Sequence, residues 1–196
     1  EHTCFLKADN TAWCAGYNFY GQLGVNDRTN KNTPTKVKIL DDGQQPTDLT
    51  NVTQIAARGF HTCFLLKNGK AMCAGNNPYG QLGNGFLQRN VITPTKVKIL
   101  DDNNQLTDLT NIKEIVAGGY HTCFLLNDGT AMCTGYNGDG QLGLDDRTNR
   151  KTPTAVKIKD DDKQPTDLTN IKEIVAGHFH TCFLLKNGTA MCTGDN

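Results

Sequence analysis

The pentapeptide His-Thr-Cys-Phe-Leu stands at residues 2–6, 61–65, 121–125 and 180–184, so its spacing is 59, 60 and 59 residues. A fixed period of that size marks a repeat array, in which each unit buries its faces against its neighbours and not within a core of its own. The chain is therefore read as a single array over 1–196, with hairpins at 2–14, 61–73, 121–133 and 180–192. Each full unit runs in one order: a cysteine hairpin, Gly-Gln-Leu-Gly (21–24, 80–83, 140–143), a polar loop, Thr-Pro-Thr, a Val-Lys-Ile run, an Asp-rich loop, and an apolar run such as Asn-Ile-Lys-Glu-Ile-Val-Ala-Gly-Gly. The chain opens inside one unit and stops inside another, and neither end resembles a capping repeat, so we expect a segment of something longer.

The hairpin sets its own register. Lys67-Asn68-Gly69 suits a three-residue loop built from a type I turn and a left-handed glycine, a conformation that costs glycine nothing. That loop places Leu66 opposite Lys70, Leu65 opposite Ala71, Phe64 opposite Met72 and Cys63 opposite Cys73. The same count pairs Cys123 with Cys133 and Cys182 with Cys192. It also pairs Cys4 with Cys14 across Ala8-Asp9-Asn10, where asparagine takes the left-handed position. Cross-strand disulfides, a zinc site and reduced core thiols compete for these cysteines. The nine-residue gap is longer than zinc-knuckle spacing, although the adjacent histidine offers a further ligand. Directly opposed pairs favour disulfides, each contributing roughly 2 to 3 kcal/mol in the chain-entropy model. Four such pairs imply an oxidising compartment, and hence an extracellular protein, secreted or on the cell surface. Two glycan acceptor sequences agree with that placement, at Asn51 and at Asn187 in a hairpin turn.

Composition excludes several classes. Lys plus Arg equals Asp plus Glu at 20 each, which removes the overall basic charge of a dedicated nucleic-acid binder. No apolar run reaches the roughly 20 residues that span a bilayer, and the first residues are already repeat sequence, not a leader.

Strand patterning points to the architecture. Cys63-Phe64-Leu65-Leu66 is apolar throughout and the run after Glu114 is nearly so, as expected for strands covered on both faces. Val97-Lys98-Ile99 and Val156-Lys157-Ile158 alternate, as an outer strand with one wet face should. A unit of about four short strands with this gradient is a propeller blade or a blade-like stacked sheet.

The stretch Gly-Phe-His-Thr-Cys-Phe-Leu-Leu-Lys-Asn-Gly-Lys-Ala-Met-Cys-Ala-Gly-Asn-Asn-Pro-Tyr-Gly-Gln-Leu-Gly (59–83) and its copy at 119–143 resemble the regulator of chromosome condensation repeat family, over essentially the whole chain. The resemblance implies an all-β fold of antiparallel β-propeller blades, commonly seven in a closed ring, of which about three and a third are present here. Two departures stand out. The aromatic often found before the Gly of Gly-x-Asn is Ala15, Ala74, Thr134 and Thr193 here, so packing at that spot must differ. The cysteines are unlike those of the intracellular branch, and no position can be matched to loops that exchange nucleotide on a small GTPase. The fold carries over and the exchange activity does not.

The remaining candidates read as architecture. His2, His61, His121 and His180 recur once per unit, where a single catalytic residue has no reason to be copied, and we expect each ring to bond a loop backbone. His178 reads as a variable surface position. Gly80, Gln81 and Gly83, with Gly140, Gln141 and Gly143, permit a tight turn and satisfy its backbone, while Leu82 plugs a seam between blades. The acidic loops from Asp41, Asp101 and Asp160 offer oxygens of the kind calcium takes, but without the helix-loop-helix spacing; charge clusters of this sort are usually solvated. Asp48, Asp108 and Asp167 in Asp-Leu-Thr-Asn read as Asx turns. No nucleophile elbow, phosphate loop or zinc-protease motif is present. We therefore expect no enzyme, no metal and no cofactor. The expected role is an extracellular scaffold for a protein or glycan partner, through a face bearing Phe19, Tyr20, Tyr79, Phe86 and Arg89. The alternative is a structural segment of an extracellular filament, with copies of itself as partners.

Overall fold

In a computed structural model, which describes residues 1–41, 44–159 and 163–195, the chain is all-β and built of antiparallel sheets. The hairpin turns organise it. Gly69, Gly129 and Gly188 take φ of 71°, 84° and 87°, and Asn10 takes 61°, so each loop closes through a left-handed residue. The resulting register places Cys4 opposite Cys14, Cys63 opposite Cys73, Cys123 opposite Cys133, and Cys182 opposite Cys192. All four pairs are disulfide-bonded, with Cα atoms 4.1 to 4.2 Å apart, the close approach of a non-hydrogen-bonded antiparallel pair.

Four blades follow one another along the chain. The second consists of Val52–Arg58, His61–Leu66, Ala71–Asn77 and Gln88–Lys96, and the third of Ile112–Ala117, His121–Leu126, Ala131–Gly135 and Arg150–Ala155. The first has three described strands, His2–Leu6, Ala12–Gly16 and Lys31–Lys36; so does the fourth, Ile171–Ala176, His180–Leu185 and Ala190–Gly194. The sequence period is offset from the blade. The apolar run that closes one unit is the inner strand of the next blade, so each repeat ties two blades together. Inner strands meet directly: the Gln54 amide accepts from Ile115 N at 2.8 Å and donates to Ile115 O at 3.1 Å.

Two expectations need correction. The Val-Lys-Ile runs are not the outer strands of blades. Lys38–Leu40, Lys98–Leu100 and Lys157–Lys159 instead pair with Pro46–Asp48, Leu106–Asp108 and Pro165–Asp167 in separate two-stranded hairpins. The outer strand carries Thr-Pro-Thr, because proline cannot donate to a ladder and is tolerated only at a sheet edge. Two-sided burial holds for Cys63, Phe64 and Leu65 and their copies at 123–125, where Phe64 and Phe124 pack on the preceding blade, whereas Phe5 and Leu6 of the first blade are exposed.

Each seam between blades is apolar. Leu82 packs with Ile112, Ile115 and Phe124 of the following blade, and Leu142 packs with Ile171, Ile174 and Phe183. The glycine after Leu82 is required there. With Gly83 at φ +63°, an added Cβ would sit 3.1 Å from the Thr134 methyl and 3.2 Å from Pro153 of the next blade. Thr134 is also the answer to the missing aromatic: its hydroxyl lies 2.9 Å from Gly80 O and 2.8 Å from Arg150 O, a polar tie between blades. Thr193 bonds Gly140 O at 2.7 Å in the same way.

Candidate protein-interaction face

Three of the recurring histidines bond a threonine hydroxyl and not a loop backbone. His2 Nε2 lies 2.7 Å from the Thr62 hydroxyl, His61 Nε2 lies 2.9 Å from that of Thr122, and His121 Nε2 lies 2.8 Å from that of Thr181, each in the next blade. Those hydroxyls in turn donate to the carbonyls of Gln22, Gln81 and Gln141 at 2.6 to 2.8 Å. A hydroxyl has one hydrogen, and it is spent on the glutamine carbonyl. The histidine must therefore donate from Nε2, which assigns the tautomer and leaves Nδ1 as a bare lone pair. In His61 and His121 that Nδ1 is buried without a partner. Burial accordingly holds the rings neutral, with the pKa of His61 pushed down to about 3 and those of His2 and His121 to about 4. A neutral ring held against a hydroxyl of the next blade is a fastener between blades, not a proton carrier.

Gly80, Gln81 and Gly83, like Gly140, Gln141 and Gly143, frame the same seams. Gln81 Oε1 accepts from Tyr79 N at 3.1 Å and Gln141 Oε1 from Asp139 N at 3.1 Å. Asp48 and Asp108 do not close Asx turns. Asp48 pairs with Lys36 and Lys38, and Asp108 with Lys70, Lys96 and Lys98, while the left-handed turn residue is Asn51 or Asn111. Asp167 likewise pairs with Lys157. Asp41 and Asp101 accept backbone hydrogens within their own loops, from Gln45 N and from Asn103 N and Gln105 N. Asp42 and Asp160 to Asp162 lie outside the described residues. Among the described residues, no cluster of three His, Cys, Asp or Glu side chains is placed to hold a metal. Asn51 and Asn187 are both exposed.

The end of the molecule where the middle strands begin carries aromatic residues of several blades. The pairing of His61 with Gly75, and of His121 with Gly135, brings the residue before each histidine beside the residue after each glycine. Tyr136 N accordingly donates to Tyr120 O at 2.9 Å. Residues from the turn before Gly-Gln-Leu-Gly then lean onto the next blade. Tyr20 lies 5.0 Å from Phe60 between ring centres, with Tyr17 and Phe19 beside it. Tyr79 lies 5.7 Å from Tyr120 and 5.1 Å from Tyr136, and Tyr120 stacks 6.0 Å from Phe179. His178 is exposed, as expected of a surface position, and adds to this set edge-on to Phe179 at 4.3 Å and to Tyr120 at 5.6 Å.

The outer rings remain open to solvent: Phe19 is 55% exposed, Tyr79 36%, Phe86 56% and Leu87 62%. Exposed aromatic side chains packed against neighbouring rings, as Phe19 and Tyr79 are, are the chemistry of a contact surface. Arg89 lies on the outer strand and makes no aromatic contact among the described residues. The sequence reading missed Tyr17, Phe60, Tyr120, Tyr136, Phe179 and Arg58. The first five are identified only by strand pairing, and Arg58 donates to Ala176 O, 118 residues away, at 2.7 Å.

Stacked antiparallel blades joined by repeat-encoded seams define a β-propeller repeat protein. The chain belongs to the regulator of chromosome condensation (RCC1) repeat family, whose models match residues 9–65 and 68–125 and, in a second form, residues 52–81, 112–141 and 171–196. It is 27% identical over 194 residues to the ultraviolet-B receptor UVR8 of Arabidopsis thaliana, covering 99% of this chain and 39% of that one. It is 30% identical over 159 residues to the X-linked retinitis pigmentosa GTPase regulator of Canis lupus familiaris, covering 81% of this chain and 14% of the relative. Similarity at 30% over 161 residues extends to the probable E3 ubiquitin-protein ligase HERC4 of Rattus norvegicus, covering 82% and 13%. The chain thus spans well under half the length of these relatives. Among solved structures, human WBSCR16 shares the fold with a TM-score of 0.76 at 21% identity, over 100% of this chain and 46% of that one. Yeast RCC1 (Prp20), solved bound to Kap60, does so with a TM-score of 0.70 at 24% identity, over 99% and 42%.

Proposed function

We propose that the chain is a non-enzymatic, extracellular scaffold segment that presents its aromatic face to a protein partner. The observation that carries this reading is a pair of ring clusters at one end of the blades, Tyr17, Phe19, Tyr20 and Phe60 in one and Tyr79, Tyr120, Tyr136 and Phe179 in the other, open to solvent at Phe19 and Tyr79. Half-buried aromatic side chains beside exposed ones, as Tyr20 stands beside Phe19 and Tyr120 beside Tyr79, are the residue type that binding hot spots favour. The relatives support it in kind: their names describe a receptor, a GTPase regulator and a ligase, and yeast RCC1 was captured with Kap60. The extracellular placement rests on the four disulfides, which persist where thiols are not kept reduced. Glycans on Asn51 and Asn187 would accord with it.

The test is affinity capture from the native extracellular fluid, quantified by mass spectrometry, with the wild-type chain and a Phe19→Asp, Tyr79→Asp variant of unchanged melting temperature. A protein retained by the first and lost from the second supports the face; identical captures sink it. For location, maleimide labelling of the endogenous protein without reductant should modify no cysteine, and labelling of all the cysteines would place it in a reducing compartment.

A further inference from the structure

The charges that cancel in the sequence are not mixed evenly by the fold. Opposite the aromatic face, hairpin turns project and inner strands begin, and there Lys67, Lys113, Lys172 and Lys186 stand exposed, against Asp9 and Asp128 in the turns of the first and third blades. Among the described residues no carboxylate pairs with any of these four, whereas the neighbouring Lys70, Lys96 and Lys98 converge on Asp108, which is 19% exposed at its side chain. Lys113 Nζ donates to the Lys172 carbonyl at 3.5 Å, at the start of the fourth blade's inner strand. Between the turn of the second blade and the start of the third blade's inner strand lies a groove of about 480 Å³, lined by Lys67 and Lys113 together with Asn68, Asn111 and Asn127. Asn68 Oδ1 accepts from Lys70 N at 3.1 Å, which leaves its NH₂ as the donating end of the amide.

The donor set selects the ligand. Every cation in the groove is a lysine, and neither arginine nor an aromatic ring lines it. Recognition of nucleic-acid bases relies on stacking rings, and none lines the groove. Ammonium and amide N–H donors without acceptor carboxylates match carboxylate side chains. We propose that this face binds an acidic polypeptide segment, a run of Asp and Glu residues, seated in the groove between the second and third blades with Lys67 and Lys113 as its main contacts. The surface is separate from the aromatic face, and this assignment stands whether or not that face binds a partner.

The test is a fluorescence-anisotropy titration of a short labelled polyglutamate peptide with the disulfide-intact chain made without glycans. Binding should weaken roughly tenfold when salt is raised from about 50 to about 300 mM, because surface charges are screened over a shorter range. A Lys67→Glu, Lys113→Glu variant should lose about tenfold in affinity, while Arg147→Glu, Lys151→Glu, of equal net charge on the other side, should change it less than about twofold. Equal losses in both variants would reduce the effect to net charge and overturn the site. So would tighter binding of a heparin fragment or single-stranded DNA of matched charge. If the first variant melts early, acetylation of the wild-type chain decides: bound peptide should shield Lys67 and Lys113 but not Lys151, and uniform reactivity overturns the proposal.

Discussion

A threonine hydroxyl in each seam accepts from a histidine and donates to a glutamine carbonyl of the same preceding blade, so one side chain holds two groups across the interface. His121→Ala removes that bond and opens a cavity, and should cost about 3 kcal/mol in a urea unfolding titration. The buried rings also set a pH dependence. Unfolded histidine titrates near 6.5, whereas folded His61 and His121 titrate at about 3 and about 4. Between those values the unfolded chain takes up protons that the folded chain refuses, so stability rises with pH across the window and is lost as pH falls through it. A His121→Gln variant should show a shallower loss between pH 6.5 and 4.5 than the wild type; an unchanged slope would remove the histidines as its cause. That His recurs beside Cys was legible in the sequence. Its partner was not, because Thr122 lies 61 residues beyond His61 and only blade stacking brings them together.

The inner strand shows how one substitution alters an element. Gln54 clasps both backbone groups of Ile115, but the equivalent position in the third blade is Glu114, which when ionised can only accept. Burial and the nearby Glu173 raise the pKa of Glu114, with Lys113 opposing. Glu114→Gln would meet Ile174 as Gln54 meets Ile115, and should stabilise the chain by about 1 kcal/mol at neutral pH. The gain should shrink in acid, because a carboxyl with a raised folded pKa binds its proton more tightly in the folded state, so wild-type stability grows as pH falls toward the unfolded value. Equal melting temperatures at neutral pH would show that no clasp forms. Hairpin registers were readable from turn residues and cysteine spacing, since both are local. The role of the Val-Lys-Ile runs was not, because alternation reports one wet face without saying which sheet the strand joins.

At the scale of the whole molecule, repeated units meet head to tail, and such contacts close into a ring or run on as a filament according to the rotation per unit. Negative-stain images of the full-length native protein under non-reducing conditions should show isolated discs; continuous fibres would make assembly itself the function. By itself the sequence determined the all-β repeat, its period, the turn at each hairpin and the opposed cysteines, because these depend on spacing and on residues a few positions apart. Only the tertiary structure decided which way the faces point. It joined Tyr20 to Phe60 and Tyr120 to Phe179, and it gathered unpaired lysines at the opposite end of a chain whose charges sum to zero. Composition adds charges without regard to place, whereas a blade's pairing sends its two ends to opposite faces.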